Sequence, residues 1–274
     1  MVSHPSPTID YAAIKARQQK SWSAGDYAVI GATLVVISED LCEAVDLHAG
    51  QAVLDVATGS GNTAIAAARR FCEVTGIDYV PALLEVGRRR AAAEGLHVTF
   101  QEGDAEHLPF ADASFDVVLS TAGVMFTPNQ EKAASELLRV CCSGGKIGLI
   151  NWTPTGFVGD LFRTIGKYVP PAPGLKPGTL WGTEERLREL FGDGIASLQA
   201  TTGNFMYRYR SVAHWMEVLG TYYGPIVTAL QSLDAAGQQG LSQEIIGLLE
   251  RYNRAKDGTL VAPVEYLQTV AIKR

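Results

Sequence analysis

Residues of the kind that bind a cofactor surround a short glycine loop near position 60. The apolar residues 52–54 lead into Asp55 at the end of a predicted strand. Gly59 and Gly61 follow, and the helix-forming sequence of residues 64–68 comes next. Glycine has no side chain and adopts backbone angles closed to other residues, so a ligand can lie directly against such a loop. The pattern predicts a strand, a loop and a helix N-terminus that together bind a cofactor.

Two kinds of cofactor are compatible with this loop. Gly59, Gly61 and Ala64 satisfy the dinucleotide fingerprint G-x-G-x-x-G/A, and Asp78 follows at about the spacing of a ribose-binding acid. A nicotinamide-dependent oxidoreductase is therefore one interpretation. Asp55 argues against it, because its carboxylate would repel a pyrophosphate at close range. A ligand with a cationic amine would be attracted to the same carboxylate.

Three further stretches have the pattern of strands that end near a polar residue. They are residues 74–79 with Asp78, residues 100–105 with Asp104, and residues 115–121 with Thr121. Helical sequence alternates with these strands, which indicates a parallel, doubly wound sheet with ligands at the carboxyl ends of the strands. We therefore expect the three polar residues to lie beside Asp55 along one edge of the sheet.

This series of strand ends, with Leu108-Pro109-Phe110 between the last two, resembles the class I S-adenosylmethionine-dependent methyltransferases. It is most similar to their small-molecule group, which includes the ubiquinone and menaquinone C-methyltransferases. The resemblance covers about residues 53–152. It implies the Rossmann-like methyltransferase fold: a doubly wound, mostly parallel, seven-stranded α/β sheet with an antiparallel last strand and a helical cap inserted before it.

The resemblance assigns the amino-acid end of S-adenosylmethionine to the first loop. Asp55 would bind the methionyl ammonium, and it could otherwise cap its own loop. Gly59 and Gly61 would back the methionine chain, and Thr121 would contact its end. The family's commonest loop is Asp-x-Gly-x-Gly-x-Gly, and Ala57 here takes the place of the first glycine, a small change that still permits close approach.

The nucleoside end is assigned to the next two strand ends. Asp78 would accept both ribose hydroxyls, which suits the two oxygens of a carboxylate. Tyr79 would lie against the adenine. Asp104 would accept from the exocyclic amine, although an aspartate after glycine is also an ordinary turn residue. The Ala105 N–H would bind a ring nitrogen.

The remainder of the chain is expected to form a lid and a cap. Residues 1–35 would be a helical lid that closes Trp22 and Tyr27 over the cofactor; the alternative is a helix that covers the sheet edge. Residues 36–274 would form the methyltransferase domain, with residues 211–258 as the inserted helical cap. In this fold the strands at 197–208 and 266–272 would be antiparallel neighbours.

Two helix starts are predicted from capping residues. Ser38, followed by Glu39 and Asp40, has the pattern of an N-cap. Thr127, with Pro128 at the first helical position, has the pattern of a capping box.

A catalytic base is not identified by any motif. His214, Tyr222 and Tyr223 in the cap and His107 beside the adenine loop are candidates, because a base helps if the acceptor is a phenol or a carbon acid. His214 could instead be an idle histidine beside an apolar helical stripe, and the two tyrosines could be core packing. The aromatic side chains in and before the cap favour an aromatic acceptor: Phe205, Tyr207, Trp215, Tyr222 and Tyr223.

Composition limits the partners. A net charge of −6 argues against a nucleic-acid partner, since phosphate neutralisation needs a basic face. The longest apolar stretches of the 274 residues are of strand length, so no membrane association is expected. The four cysteines fit neither a metal site nor a disulfide framework, which favours the cytoplasm and predicts no metal. Monomer and homodimer are both compatible.

The sequence thus predicts an enzyme that transfers a methyl group from S-adenosylmethionine to an O or C atom of a small, hydrophobic or aromatic molecule, leaving S-adenosylhomocysteine. Two alternatives stay open. One is a protein of this fold that binds the cofactor without methyl transfer, as a cyclase or a structural protein. The other is the nicotinamide-dependent oxidoreductase, which Asp55 disfavours.

Overall fold

A computed structural model describes residues 9–274, and their centre is one seven-stranded sheet. The strands are β1 (Ala52–Val56), β2 (Glu73–Asp78), β3 (Val98–Glu102), β4 (Phe115–Thr121), β5 (Cys141–Trp152), β6 (Ile195–Tyr209) and β7 (Leu260–Lys273). Their order in the sheet is β3-β2-β1-β4-β5-β7-β6. Every pair from β3 to β5 is parallel, and β7 is antiparallel to both of its neighbours. The predicted fold class is confirmed.

Eleven α-helices accompany the sheet within these residues. They are α1 (Tyr11–Trp22), α2 (Tyr27–Gly31), α3 (Val35–Ala44), α4 (Asn62–Ala68), α5 (Pro81–Ala93), α6 (Gln130–Val140), α7 (Phe157–Tyr168), α8 (Glu184–Phe191), α9 (Val212–Tyr222), α10 (Gly224–Gln231) and α11 (Ala235–Tyr252). The last three lie between β6 and β7, where a helical insertion was expected. No helix among residues 9–274 is long and apolar enough to span a membrane.

The register of the parallel strands brings the predicted site residues to one edge. β1 lies between β2 and β4, with Asp55 opposite Gly76 on one side and Leu119 on the other. Asp78 is the last residue of β2 and Thr121 the last of β4. Since parallel strands point the same way, these side chains and the loops that follow meet at the carboxyl edge of the sheet.

The N-terminal helices lie close to this edge and to the inserted helices. α1 packs so tightly against α10 that a Cβ added to Gly224 would lie 2.0 Å from Ser21 O. The hydroxyls of Ser21 and Thr228 are 2.9 Å apart across the same contact. α2 contacts both α5 and α9. The segment that contains α1 and α2 therefore bridges the cofactor-side helices and the helices of the insertion.

The helix start predicted at Ser38 is wrong. Ser38 lies inside α3, one turn after its first residue Val35, and is buried. Its hydroxyl accepts a hydrogen bond from Thr63 Oγ1 at 3.1 Å. The helix begins earlier because a 3-10 turn at Ala32–Leu34 leads directly into it and because the apolar side chain of Ile37 is fully buried.

The capping box predicted at Thr127 is also wrong in its register. Asn129 is the N-cap residue of α6, and its side chain accepts from the Lys132 N–H at 3.0 Å. Thr127 instead donates to Val124 O, which closes the preceding 3-10 turn. Threonine and asparagine are both common N-cap residues. The Thr127 hydroxyl is already hydrogen-bonded within the preceding turn, so Asn129 caps the helix.

Candidate cofactor cleft and aromatic chamber

A cleft at the carboxyl edge of the sheet encloses about 970 Å³ of space, including its part open to solvent. Ten of the eleven residues predicted to bind the cofactor line it: Trp22, Tyr27, Asp55, Ala57, Gly59, Asp78, Tyr79, Asp104, Ala105 and Thr121.

Gly61 is the predicted site residue that does not line the cleft. It precedes α4 with a left-handed backbone, φ +84°. A Cβ at this position would lie 2.8 Å from Phe100 Cζ, so only glycine fits between the loop and that ring. Gly61 therefore allows the Phe100 ring to pack against the turn, and its contact with the methionine chain stays a prediction.

The part of the loop that faces the cleft is also left-handed. Ala57 has φ +54° and Gly59 has φ +55°, angles that cost an ordinary residue free energy. The chain adopts this left-handed conformation at Ala57 although the residue is not a glycine. Gly123 approaches the Ala57 carbonyl so closely that an added Cβ would lie 2.7 Å from it. Gly123 thus packs directly against the loop, whose residues Ala57 and Gly59 line the cleft.

Asp55 is buried at the base of the cleft, with 1% of its surface exposed. Its Oδ2 accepts from Thr58 Oγ1 at 2.5 Å and from the Ala64 N–H at 2.9 Å, so it does cap its own loop. Burial raises the pKa of its carboxyl to about 7, although these two hydrogen bonds oppose the shift. No cation among residues 9–274 forms a salt bridge with it.

Asp78 is the second buried carboxylate of the cleft. Its Oδ2 accepts from the Gly59 N–H and its Oδ1 from the Val80 N–H, both at 2.9 Å. Burial raises its pKa to about 6 against these hydrogen bonds. Each oxygen retains a lone pair for a further donor. Two buried, uncompensated carboxylates fit a ligand that brings an ammonium group and hydroxyls.

Asp104 is already paired with a residue of α1. Its Oδ2 lies 2.5 Å from Lys15 Nζ, and Lys15 also lies 2.9 Å from an oxygen of the buried Glu106. Burial opposes the shift, but the hydrogen bond from Lys15 lowers the pKa of Asp104. His107 Nδ1 is 3.5 Å from the same Asp104 oxygen, and its side chain is 68% exposed.

The other polar contacts of α1 fix it across the cleft. Gln19 Nε2 donates to Tyr79 O at 2.5 Å, and Gln18 Nε2 donates to Phe126 O at 2.9 Å. At the opposite end of the cleft, the hydroxyl oxygens of Thr63 and Thr121 are 2.8 Å apart, within hydrogen-bond distance. Lys15, Gln18 and Phe126 line the cleft and were not predicted, because nothing local marks a helical lysine or glutamine as a site residue.

A second cavity adjoins the cleft, and we call it the aromatic chamber. Its walls surround about 420 Å³ of space, including the part open to solvent. Its lining consists of Trp22, Tyr27, Ile30, Leu34, Ala122, Phe126, Trp152, Val158, Leu161, Tyr207, Trp215, Leu219 and Tyr223. Trp22, Tyr27, Leu34, Ala122 and Phe126 line both cavities. Since Ala122 directly follows Thr121, the two cavities meet at the predicted methionine end of the cleft.

The structure separates the four candidate bases. Tyr223 lines the aromatic chamber, while His214, Tyr222 and His107 line neither cavity. His214 Nδ1 accepts from the Arg210 N–H at 3.3 Å, beside the N-terminus of α9. Among residues 9–274, no group of three or more His, Cys, Asp or Glu side chains could hold a metal ion.

Comparison with known proteins places the chain in a family. The methyltransferase domain family matches residues 54–149. An uncharacterised protein of Mycobacterium tuberculosis is 36% identical over 274 residues, 98% of each chain. The demethylmenaquinone methyltransferase of Deinococcus radiodurans is 34% identical over 174 residues, 60% of this chain and 72% of that one.

The fold agrees with this relationship. The crystal structure of YcgJ from Bacillus subtilis matches with a TM-score of 0.61 and 22% identity, over 86% of this chain and 98% of that chain. The strand order, the glycine loop after β1 and the similarity to a named methyltransferase agree with one another and reject the nicotinamide alternative. The chain belongs to the class I S-adenosylmethionine-dependent methyltransferases.

Proposed function

We propose that the cleft binds S-adenosylmethionine in the orientation that the strand ends define, and that the enzyme methylates an O or C atom of a small, hydrophobic or aromatic acceptor. The observation that carries the proposal is the pair of buried carboxylates, Asp55 and Asp78, which flank the glycine loop and lack a cationic partner among residues 9–274. When bound, the cofactor supplies an electrophilic methyl group on a sulfonium sulfur.

The residues would divide the work of binding. Asp55 attracts the ammonium group by its charge, and Asp78 accepts from the ribose hydroxyls with the lone pairs that its backbone donors leave free. Asp104 and Ala105 hold the adenine, and Tyr79 covers it. The open main chain at Ala57 and Gly59 leaves room for the methionine chain, and Thr121 lies at its end.

Residues 1–35 would act as the lid, within a chain whose residues 36–274 form the catalytic domain and whose residues 211–258 form the cap. The support is that α1 contributes Lys15, Gln18 and Trp22 to the cleft and is held there by hydrogen bonds to two loops of the sheet edge. Residues 1–8 lie outside the described part of the chain. The similarity to a demethylmenaquinone methyltransferase supports a small-molecule acceptor.

Calorimetric titration with S-adenosylhomocysteine tests the assignment of the site, with NADH as the control ligand. We expect a Kd near 1 μM, about −8 kcal/mol, for the first ligand alone. Asp78→Asn should weaken it about tenfold to a hundredfold, because hydrogen bonds to a charged group contribute about 1.5–3 kcal/mol.

The matched control is Asp116→Asn, since Asp116 is exposed and accepts from the Ala52 N–H at the other end of the sheet. It should leave the Kd unchanged. Equal affinity of the wild type and Asp78→Asn would show that the ribose assignment is wrong. Tight binding without formation of S-adenosylhomocysteine from S-adenosylmethionine and any acceptor would favour the alternative, a role without methyl transfer.

A further inference from the structure

β6 forms an edge of the sheet that no described part of the chain covers on its outer side. The strand spans 15 residues, Ile195–Tyr209, and its one neighbour in the sheet is β7. Alternate residues of an antiparallel strand direct their N–H and C=O groups away from that neighbour. Apart from the ladder to β7, no hydrogen bond within residues 9–274 uses the main chain of residues 196–209. The outer side of β6 therefore presents a row of unpaired backbone groups.

This edge lacks the features that normally keep strands of different molecules from pairing. Edge strands are commonly short, or they carry charged residues or proline. β3, at the opposite edge, has five residues and includes Glu102. β6 has no proline, and its one charged residue is Arg208 near its end. The residues of β6 before Arg208 with exposed side chains are Ala196, Ser197, Gln199, Thr201, Thr202 and Asn204. The edge is thus long, accessible and uncharged over residues 195–207.

The charges at the two ends of β6 are complementary. Asp193 lies just before the strand, and Arg208 and Arg210 lie at its end. All three side chains are exposed, and none of them forms a salt bridge within residues 9–274. Two copies of β6 that pair antiparallel about a two-fold axis bring the start of each strand beside the end of the other. With the axis near Thr201, Asp193 of each copy would lie beside Arg208 and Arg210 of the other.

We propose that β6 pairs antiparallel with β6 of a second copy of this chain, so that the enzyme is a homodimer in which two seven-stranded sheets become one. The unpaired backbone groups of each edge bind those of the other, and the complementary ends set the register. A two-fold pair of edges leaves no further β6 edge free, so assembly stops at two copies. Three strands, β4, β5 and β7, separate β6 from β1. The pairing therefore leaves both cofactor clefts open and does not depend on the proposed function.

Sedimentation velocity of the full chain, over about a hundredfold range of concentration, tests the proposal. We expect the mass of two chains at the upper end of this range and dissociation on dilution. Amide hydrogen exchange at both ends of the range should show slower exchange in the dimer at alternate residues of 196–208. A single chain at every concentration, an assembly larger than two, or a dimer without protection of these amides would overturn the proposal.

Thr201→Lys tests whether this edge forms the interface. Thr201 is exposed near the proposed axis, so each new ammonium group would lie beside its own copy. The dissociation constant of the dimer should rise about tenfold or more, because like charges repel each other there. The matched control is Thr99→Lys, which changes an exposed threonine of the other edge strand, β3, and should leave the constant unchanged. No effect of Thr201→Lys, or an equal effect of both changes, would overturn the proposal.

A charge reversal tests the antiparallel register. Asp193→Lys should weaken the dimer, and the addition of Arg208→Asp and Arg210→Asp to the same chain should strengthen it again, because the two ends then attract each other with exchanged signs. A dimer that these two changes weaken further would overturn the proposed register. Calorimetry with S-adenosylhomocysteine reports whether each variant is folded, and we expect an unchanged Kd. Failure of the wild type to bind this ligand would overturn the proposed function and not the dimer.

Discussion

Asp55 and Asp78 in the candidate cofactor cleft fix the local structure and also keep hydrogen-bond acceptors that no residue of the described chain uses. Asp78 accepts from the Gly59 N–H of the loop, and Asp55 accepts from the Thr58 hydroxyl of the loop and from the Ala64 N–H in α4, so these bonds fix the loop before a ligand arrives. The carboxylates remain buried without a cation in the described chain, which costs free energy. A ligand that brings positive charge recovers part of this cost on binding.

The pKa of Asp55 predicts how affinity depends on pH. Below about pH 7 the buried carboxyl of the free enzyme binds a proton, and an incoming ammonium must displace it. The affinity for S-adenosylhomocysteine should therefore fall as the pH is lowered through this value, approaching a tenfold loss per pH unit. Calorimetry from about pH 5.5 to 8.5 in buffers of different ionisation enthalpy measures both the affinity and the proton release.

Asp55→Asn is the control for this dependence. It should bind more weakly and show a nearly flat profile above about pH 6, where Asp78 with its pKa of about 6 is ionised. A wild-type affinity that stays constant between about pH 6 and 8 would contradict the assignment of Asp55 to the ammonium.

The two left-handed positions of the loop predict opposite effects of exchanging alanine and glycine. Ala57 and Gly59 have nearly the same φ, +54° and +55°, which costs a residue with a Cβ about 1–2 kcal/mol. Glycine loses about 0.4–1 kcal/mol more entropy on folding. Ala57→Gly should thus raise the free energy of unfolding by up to about 1 kcal/mol, and Gly59→Ala should lower it by a similar amount.

Urea unfolding of the ligand-free protein measures both changes, and an unchanged m-value shows that the comparison is valid. A shift of both variants in the same direction would mean that the side-chain contacts of the loop outweigh its backbone conformation.

Residue types and their position at strand ends were enough to predict most of the cleft. The local pattern alone predicted that Asp55, Asp78 and Asp104 lie along one edge of the sheet, and their roles in binding came from the family resemblance. The partner of Asp104 was not predictable, because Lys15 is 89 residues away and its helix has the composition of a solvated surface. The packing of the Phe100 ring against Gly61 was not predictable either, because the two residues are far apart in the sequence.

At the scale of elements, α1 contributes residues to the cleft but has few buried side chains. Ile14 is its one buried residue, so polar contacts hold it in place. The strongest of these is Lys15 between Asp104 and Glu106. Since α1 crosses the cleft, its release should limit how fast a ligand enters and leaves.

Lys15→Met tests this role of α1. Loss of the two ion pairs should raise both the association and the dissociation rate of S-adenosylhomocysteine several-fold, with a smaller effect on Kd. Stopped-flow fluorescence of Trp22, which lines the cleft, measures these rates. Lys20→Met is the control, because Lys20 is exposed on the same helix. If Lys15→Met leaves both rates unchanged, the ion pairs of Lys15 do not control the release of α1.

Elements were predicted well where periodicity was strong and less well where two caps competed. β4 was predicted with its observed bounds, Phe115–Thr121, and the antiparallel pairing of β6 and β7 is confirmed. The starts of α3 and α6 were misplaced because Ser38 and Thr127 have the right side chain for a cap. In each case a 3-10 turn lies just before the helix and competes with the predicted cap. Tertiary packing decides which of the two forms.

At the scale of the whole molecule, the two cavities share a wall. Trp22, Tyr27 and Phe126 line both, and the first two belong to the N-terminal segment that α10 and α9 hold from the other side. A movement of this segment would therefore change the lining of both cavities at once.

β7 lies between β5 and β6, so the sheet can be completed only after β7, the last strand, has been synthesised. β6 leaves the ribosome before β7, yet its hydrogen-bonded neighbour in the sheet is β7, which separates it from β5. Until β7 emerges, β5 is an open edge and β6 is a long strand without a partner, and such edges invite aggregation. The strands β1 to β5 are thus synthesised early, and β6, which carries Tyr207, gains its hydrogen-bonded partner late. Protection by a chaperone would matter most in that interval.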